Sequence, residues 1–211
     1  NKIPREDIFL ISKVNNCNQG YEKTITSFEE SLQKLQTDYL DAFLVHWPGQ
    51  DKARMLDTWK AMEHLYKEGK VKSIGVCNFE ISQLTYLLEH CEIKPMIDQV
   101  EHTPLMHDEK LISFCKEHEI QIMAWGPLLR GNLENKKIEE IAAKYNKTTA
   151  QLLLRWNIQQ EIIPIPKSKN EQRLQQNIDV FDFEISKEDM EELNHMNENH
   201  RTSFDPLTFD F

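Results

Sequence analysis

The stretch AFLVH, residues 42–46, indicates the fold class, because a short apolar run ends there on a histidine. Five other aliphatic runs also finish on a polar or aromatic residue, and helical stretches separate all six. The runs span residues 8–14, 42–46, 71–78, 96–101, 121–125 and 162–167. Strands that alternate with helices favour a parallel α/β sheet. The sequence therefore predicts an α/β fold.

Helical periodicity fills the segments between these runs and is clearest over residues 21–35. There Ile25, Phe28, Leu32 and Leu35 recur at three- and four-residue steps. The same reasoning, with polar caps, predicts helices at residues 59–66, 84–88, 111–115, 136–145, 149–159, 170–177 and 186–196. Each of the first units is therefore a strand followed by a helix.

The polar and aromatic residues at or near the ends of the six runs suggest a barrel with its chemistry at one rim. They are Lys13, His46, Asn78, Gln99, Trp125 and Lys167. Active sites of (β/α)₈ TIM barrels lie at the carboxyl ends of the strands, and eight units take roughly 250 residues. We expect residues 1–211 to form one domain with about six of the eight units, the absent two falling before the strand at residues 8–14.

Composition restricts the classes of binding partner and the cellular location that we expect. A net charge of -10 argues against nucleic acid or an anionic membrane as the main partner. No apolar run approaches the ~20 residues of a membrane span. The four cysteines form no CxxC pair and require no disulfide framework. The sequence predicts a soluble cytoplasmic protein.

Lys167 and Ser168 lead into a predicted helix whose first turn carries Arg173. A helix N-terminus beside Lys, Ser and Arg favours an anion, in the region where barrels often hold phosphate. An ordinary solvated helix start is an equally good interpretation of this spacing.

His46 and Lys13 are the candidate catalytic residues. An imidazole at a strand end suits a general acid or base, or a donor to a carbonyl, although a buried structural histidine is the alternative. Lys13 ends an otherwise apolar strand, where a lysine must be paired or must shift its pKa.

Asn78, Gln99 and Trp125 are weaker candidates. The two amides could bind a carboxamide or a sugar, or serve only as internal hydrogen-bond partners. Trp125 could stack on a flat ligand, although core packing is commoner for a lone tryptophan. Neither GxGxxG nor Walker A occurs. The sequence predicts no metal site, because the spacings of the nearby possible ligands match no zinc pattern: His102, His107, Cys115 and His118.

Two segments resemble the signatures of the aldo-keto reductases, NADPH-dependent barrels that reduce aldehydes and ketones. One contains Leu32, Leu35 and residues 38–41 and continues into residues 44–48. The other comprises residues 165–168 with Arg173 and Asn177. The similarity extends through residues 75–79, 99–101 and 125–128, and so covers essentially the whole chain.

The resemblance implies a role for each candidate. Lys13 would lower the pKa of a tyrosine acid, and His46 would orient the carbonyl of a small-molecule substrate, with Trp47 in the substrate pocket. The remaining matched residues would bind NADPH: Cys77, Asn78 and Gln99 at the carboxamide, Trp125 on the nicotinamide, Gly126 and Leu128 nearby, Lys167, Ser168 and Arg173 at the 2′-phosphate, and Gln176 and Asn177 at the adenine.

Several positions depart from the family pattern. Cys77 and Gly126 replace a usual serine or similar polar residue, Gln176 replaces a glutamate, and residues 102–104 replace Phe-His-Pro. The family's catalytic Asp and Tyr lie in the first two units, which we expect this chain to lack. Tyr21 and Tyr39 do not lie in the matching motif.

Three hypotheses follow from the missing pair. The first is an N-terminally shortened carbonyl reductase with doubtful activity of its own. The second is a regulatory module that binds NADPH without turnover. The third is that the shortening is a cloning, proteolytic or assembly peculiarity. A complete family member would be a monomer, whereas the open sheet edges predict self-association here.

Overall fold

The computed structural model describes residues 3–211 and shows six parallel strands and eight α-helices within them. The strands are β1 (Ile11–Val14), β2 (Ala42–Val45), β3 (Ile74–Cys77), β4 (Ile97–Glu101), β5 (Gln121–Trp125) and β6 (Ile163–Pro164). The helices are α1 (Tyr21–Leu35), α2 (Lys52–Lys67), α3 (Ile81–Leu88), α4 (Glu109–Glu117), α5 (Lys136–Lys144), α6 (Thr149–Gln159), α7 (Glu171–Ile178) and α8 (Lys187–Asn194). The predicted alternation of strands and helices is confirmed.

The chain divides into two compact units. Unit 1 comprises residues up to Gln99, with residues 114–120 and 204–211, and unit 2 comprises residues 100–113 and 121–203. In unit 1 the strands follow the order β1-β2-β3-β4, and in unit 2 the end of β4 is followed by β5 and β6.

Parallel pairing in unit 1 aligns the strand ends that were predicted to carry chemistry. Lys13 on β1 pairs with Leu44 on β2, and Cys77 on β3 pairs with Gln99 on β4. Strands β2 and β3 are apolar and fully buried, as expected for a parallel sheet covered by helices. Phe28 of α1 packs edge-on against Phe43 of β2, with ring centroids 5.1 Å apart.

The core of unit 2 is formed by helices. Leu152, Leu153 and Trp156 of α6 pack with Ile138 and Ile141 of α5 in a cluster that also includes residues of α8. Thr148 begins α6 with a reciprocal capping box to Gln151.

Several strands are shorter than predicted, and for β1 and β6 the reason can be identified. In the first run, the Asp41 carboxylate accepts the Leu10 N–H and the Arg5 guanidinium binds the Ile8 carbonyl, so pairing begins only at Ile11. The last strand covers only Ile163–Pro164, because prolines lack the N–H that a ladder needs. Lys167 therefore lies beyond a strand rather than at its end.

Gly75, in the middle of β3, should tolerate no side chain. A Cβ there would lie 2.6 Å from the Ile97 carbonyl oxygen and 2.8 Å from Leu44 Cδ2. Because the nearest atom belongs to the backbone of β4, relief requires a shift of the strand. We expect Gly75→Ala to lower the free energy of unfolding by about 2 kcal/mol, measured by chemical denaturation.

Gly69→Ala is the control for that experiment. Gly69 has a φ of 70° but open space around its Cβ position, so only backbone strain of about 1 kcal/mol is expected. A larger loss at Gly69 than at Gly75 would contradict the crowding explanation.

Unit 2 exposes an apolar groove of about 590 Å³ beside β6. Its lining includes Ile163, Leu174, Ile178 and Phe181, whose exposed fractions reach 69%. An exposed apolar strand edge is prone to association, which agrees with the expected self-association. Self-association stays a prediction. No described helix combines the length and apolar character that crossing a membrane requires.

Candidate active site and cofactor cavity

Lys13 and His46 come together at adjacent strand ends in unit 1, as predicted. Lys13 lies near the end of β1, and His46 directly follows β2, with its N–H donated to the Val14 carbonyl at 3.2 Å. Lys13 is half-buried, whereas the His46 side chain is exposed. Parallel pairing of β1 with β2 therefore brings a cation and an imidazole to one edge.

The charge state of His46 follows from this arrangement. Partial desolvation and the positive charge of Lys13 lower the pKa of His46. His46 is therefore neutral at pH 7, and a neutral imidazole can donate one hydrogen bond to a carbonyl oxygen. Within residues 3–211, Lys13 has no hydrogen bond or ion pair, so its ammonium group is available to another partner.

Three predicted carboxamide ligands also lie in unit 1. Asn78 has a left-handed backbone (φ 61°), and its Nδ2 donates to the His46 carbonyl at 3.2 Å. Gln99 is 3% exposed, and its side-chain amide has no hydrogen bond within the described residues. Burial raises the pKa of the Cys77 thiol, which therefore stays protonated. The amides of Asn78 and Gln99 are thus placed on neighbouring strands.

Trp47 is covered by the C-terminal segment of unit 1. Its ring centroid lies 5.0 Å from that of Phe209 and 6.1 Å from that of Phe204, and those two phenylalanines stack at 4.2 Å. Trp47 is only 7% exposed. The Trp47 ring is therefore covered by these phenylalanines and not open to solvent. Its role in a substrate pocket stays a prediction.

Unit 2 contains a cavity of about 780 Å³. The cavity is lined by seven of the predicted cofactor residues, namely Gly126, Leu128, Lys167, Ser168, Arg173, Gln176 and Asn177. Asn170 caps α7 by accepting the Arg173 N–H at 3.0 Å, and its own N–H donates to Ser168 Oγ at 3.1 Å. This local bonding sets the turn between Lys167 and the first turn of α7.

The charges in this cavity fit a phosphate group. Lys167 and Arg173 are exposed and make no ion pair among residues 3–211. Two uncommitted cations, a serine hydroxyl and a helix start are the donors that a phosphate monoester requires. Glu134 and Glu139 line the same cavity. An NADPH 2′-phosphate therefore fits the basic part of the lining.

The loop after β5 adds residues that sequence reasoning missed. Arg130 lies with its guanidinium carbon 5.3 Å from the Trp125 ring centroid, and it lines the cavity although Trp125 itself does not. Leu129 and Arg130 both have positive φ. The sequence offered one signal, because Gly126 and Gly131 bracket the loop. Thr148, Thr149 and Ala150 also line the cavity, and nothing in the sequence pointed to them.

Of the histidines considered for a metal site, His102 and His107 lie in unit 2 and His118 lies in unit 1, and each has its own hydrogen-bond partner. His102 Nδ1 lies 2.8 Å from Asn157 Oδ1, and the His102 ring stacks on Trp156 at 4.6 Å. Because Asn157 Nδ2 donates to the Leu153 carbonyl, its Oδ1 must accept, so His102 carries its proton on Nδ1. No group of three potential metal ligands occurs in the part of the chain that the structure describes.

Four tyrosines contact residues other than Lys13. In unit 1, Tyr21 packs on His64, Tyr39 lies under Arg5 and Lys72, and Tyr86 contacts Lys52 and His90. In unit 2, Tyr145 donates to Asp189. No described tyrosine hydrogen-bonds to Lys13.

The fold and the residues that follow its strands define a parallel βα-repeat protein with polar residues at its strand ends. The chain belongs to the Aldo/keto reductase family, whose model matches residues 1–198. It is an oxidoreductase of that type, and the predicted fold class is confirmed.

Similar proteins support this membership. Glyoxal reductase of Bacillus subtilis is 48% identical over 205 residues, covering 97% of this chain and 74% of the relative. The aldo-keto reductase MGS-M4 from a deep-sea metagenome superposes with a TM-score of 0.96 at 41% identity, covering 100% of this chain and 79% of its own. A variant of Gox0644, solved with NADPH, gives a TM-score of 0.94 at 38% identity, with coverage of 98% and 77%.

Proposed function

We propose that this chain binds NADPH and reduces small aldehydes and ketones, with glyoxal as the first substrate to test. The observation that carries the proposal is the pairing of an unpartnered Lys13 with a neutral His46 at adjacent strand ends. When bound, NADPH supplies the hydride. The glyoxal reductase activity of a 48% identical relative supports the choice of substrate.

Most of the candidate residues would bind the cofactor. Lys167, Ser168 and Arg173 would hold the 2′-phosphate, with Gln176 and Asn177 at the adenine. On the unit 1 side, Cys77, Asn78 and Gln99 would hold the carboxamide. Trp125 would offer its ring to the nicotinamide, with Gly126 and Leu128 nearby. Each assignment rests on the family resemblance, and the cavity lining supports those in unit 2.

Protonation of the substrate oxygen would depend on Lys13 and His46. His46 would donate a hydrogen bond to the carbonyl oxygen and so fix its orientation. The ammonium group of Lys13 would stabilise a phenolate and thereby lower the pKa of a tyrosine acid. Because no tyrosine among residues 3–211 bonds to Lys13, we expect protonation to be the slow step.

The test measures NADPH binding and glyoxal reduction separately. We expect fluorescence titration to show NADPH binding. We also expect turnover with glyoxal at least about 100-fold below that of the B. subtilis relative, since a positioned acid contributes 10²–10⁴-fold. His46→Leu, which removes the donor to the carbonyl oxygen, should abolish the residual rate and leave NADPH affinity unchanged.

Each result separates one hypothesis from the others. Absence of NADPH binding would refute the proposal. Binding with no turnover at all, even at high enzyme concentration, would favour the regulatory module. Turnover equal to that of the relative would show that the rate does not depend on a tyrosine bonded to Lys13. The predicted cytoplasmic location stays a prediction, and the four cysteines are free thiols.

A further inference from the structure

The loop between β1 and α1 carries a buried glutamine that reaches the next loop of unit 1. Gln19 is only 4% exposed, and its Nε2 donates to the Trp47 carbonyl at 2.6 Å. Because a main-chain carbonyl can only accept, the Gln19 amide must present its nitrogen to Trp47. Gln19 is thereby bonded to the residue that directly follows His46, the proposed carbonyl-orienting residue.

The carbonyl that Gln19 binds belongs to a peptide with few means of support. Pro48 follows Trp47, so this peptide has no N–H and can be held only through its carbonyl oxygen. Residues 46–51 lie between the end of β2 and the start of α2, outside both elements. Loss of the Gln19 donor would therefore deprive the Trp47–Pro48 peptide of its hydrogen bond.

The main chain of His46 is held on both sides as well. Its N–H donates to the Val14 carbonyl, and its carbonyl accepts Asn78 Nδ2, each at 3.2 Å. Together with the bond from Gln19, three side-chain or main-chain contacts fix the backbone around the His46 side chain. The bond from Gln19 is the shortest of the three, and it is made by a buried group.

Gln19 can hold its neighbour because its own loop is anchored. The Gln19 N–H donates to the Asn16 carbonyl at 3.3 Å, and the Gly20 N–H donates to Thr58 Oγ1 of α2 at 2.8 Å. Thr24 Oγ1 of α1 donates to the Asn18 carbonyl at 3.3 Å. A residue whose backbone is fixed in this way can define the position of the group that it binds.

We propose that Gln19 is a positioning residue that holds His46 beside Lys13 for carbonyl reduction. It would act through the Trp47 carbonyl, without contact to the substrate. This assignment rests on the proposed function, because it takes His46 as the residue that orients the substrate. A misplacement of about 1 Å can lower a rate about 10²-fold, so Gln19 should affect turnover and not the binding of NADPH.

The test replaces Gln19 by methionine, which has a similar length but cannot donate. NMR titration of the His46 ring in the full chain, without cofactor, reports whether the imidazole has moved. Partial desolvation and the charge of Lys13 both lower the pKa of His46, so a displaced imidazole should have a higher pKa. We expect Gln19→Met to raise the pKa of His46 and to slow glyoxal reduction at least about 10-fold, with NADPH affinity unchanged.

Thr58→Val is the matched control. It removes the hydroxyl that accepts the Gly20 N–H, and so loosens the same loop one residue from Gln19, but it leaves the Trp47 carbonyl its donor. We expect this variant to be less stable than the unmodified chain, with the same His46 pKa and the same rate. An equal rise of the His46 pKa in both variants, or a rise in neither, would overturn the positioning role.

Gln19→Glu tests the same bond even if the methionine variant does not fold. A protonated glutamic acid can donate to the Trp47 carbonyl, whereas the carboxylate cannot donate and repels that oxygen. Protection of the His46 N–H from hydrogen exchange, corrected for the intrinsic effect of pH, should therefore fall with rising pH in this variant alone. The same pH dependence in the unmodified chain would contradict the assignment.

Neither NMR measurement uses a cofactor, so the two proposals can fail separately. Absence of NADPH binding would refute the proposed function alone. Unchanged His46 signals in all Gln19 variants of a chain that binds NADPH would overturn the role of Gln19 alone.

Discussion

Replacing Lys167 and Arg173 together by alanine should weaken NADPH binding about 150-fold and leave NADH binding unchanged. Both side chains line the unit 2 cavity without an ion-pair partner among residues 3–211. A hydrogen bond to a charged group is worth about 1.5–3 kcal/mol, and the exposure of both cations places each near the lower value. Fluorescence titration with the two cofactors measures the effect, since NADH lacks the 2′-phosphate.

Lys169→Ala is the matched control. Lys169 is an exposed lysine two residues from Lys167, but it does not line the cavity. Its removal should change NADPH affinity less than about 3-fold, the size of a screened surface charge. Equal losses of affinity for NADH and NADPH in the double variant would mean that the two cations do not bind the 2′-phosphate.

Acidification should destabilise the protein by about 3 kcal/mol at pH 4 through His102 alone. Burial lowers the pKa of His102 from 6.5 to about 4, although the hydrogen bond to Asn157 opposes that shift. The unfolded chain therefore binds more protons than the folded chain as the pH falls below 6.5. Stability from this group is complete above pH 6.5 and declines until the pH reaches about 4.

His102→Phe isolates that contribution. Phenylalanine keeps a flat ring over Trp156 but cannot titrate. The free energy of unfolding of this variant should therefore fall about 2 kcal/mol less between pH 7 and pH 4.5 than that of the unmodified chain. His200→Gln, at an exposed histidine, should leave the pH dependence unchanged. Asp98, whose burial raises its pKa, acts in the opposite direction but is common to all variants. Identical slopes with and without His102 would contradict the assignment.

Much of the fold could be predicted because hydrophobic periodicity records which face is buried. Helices α1 and α6 and strand β5 have the predicted bounds, since each is bordered by a clear polar residue or cap. The hydrophobic pattern continues where strand pairing stops, as at two places in this chain. The Asp41 carboxylate accepts the Leu10 N–H before β1, and Pro164 has no N–H to donate in β6. Strand limits therefore depend on bonds that the pattern does not encode.

Only part of the candidate site could be predicted from the sequence. Strand ends identified Lys13 and His46, because parallel pairing makes neighbours of successive ends. The burial of Trp47 under Phe209 joins residues distant in the sequence, and no local pattern reveals it.

The four tryptophans are divided equally between the two units, which gives each unit its own optical signal. Trp59 is 2% exposed and donates to the Ile93 carbonyl in unit 1, whereas Trp156 is fully buried and donates to Asn194 in unit 2. Buried indoles in dissimilar surroundings emit differently from each other and from solvated ones. Variants that retain a single tryptophan would therefore show whether the units unfold together, without any added label.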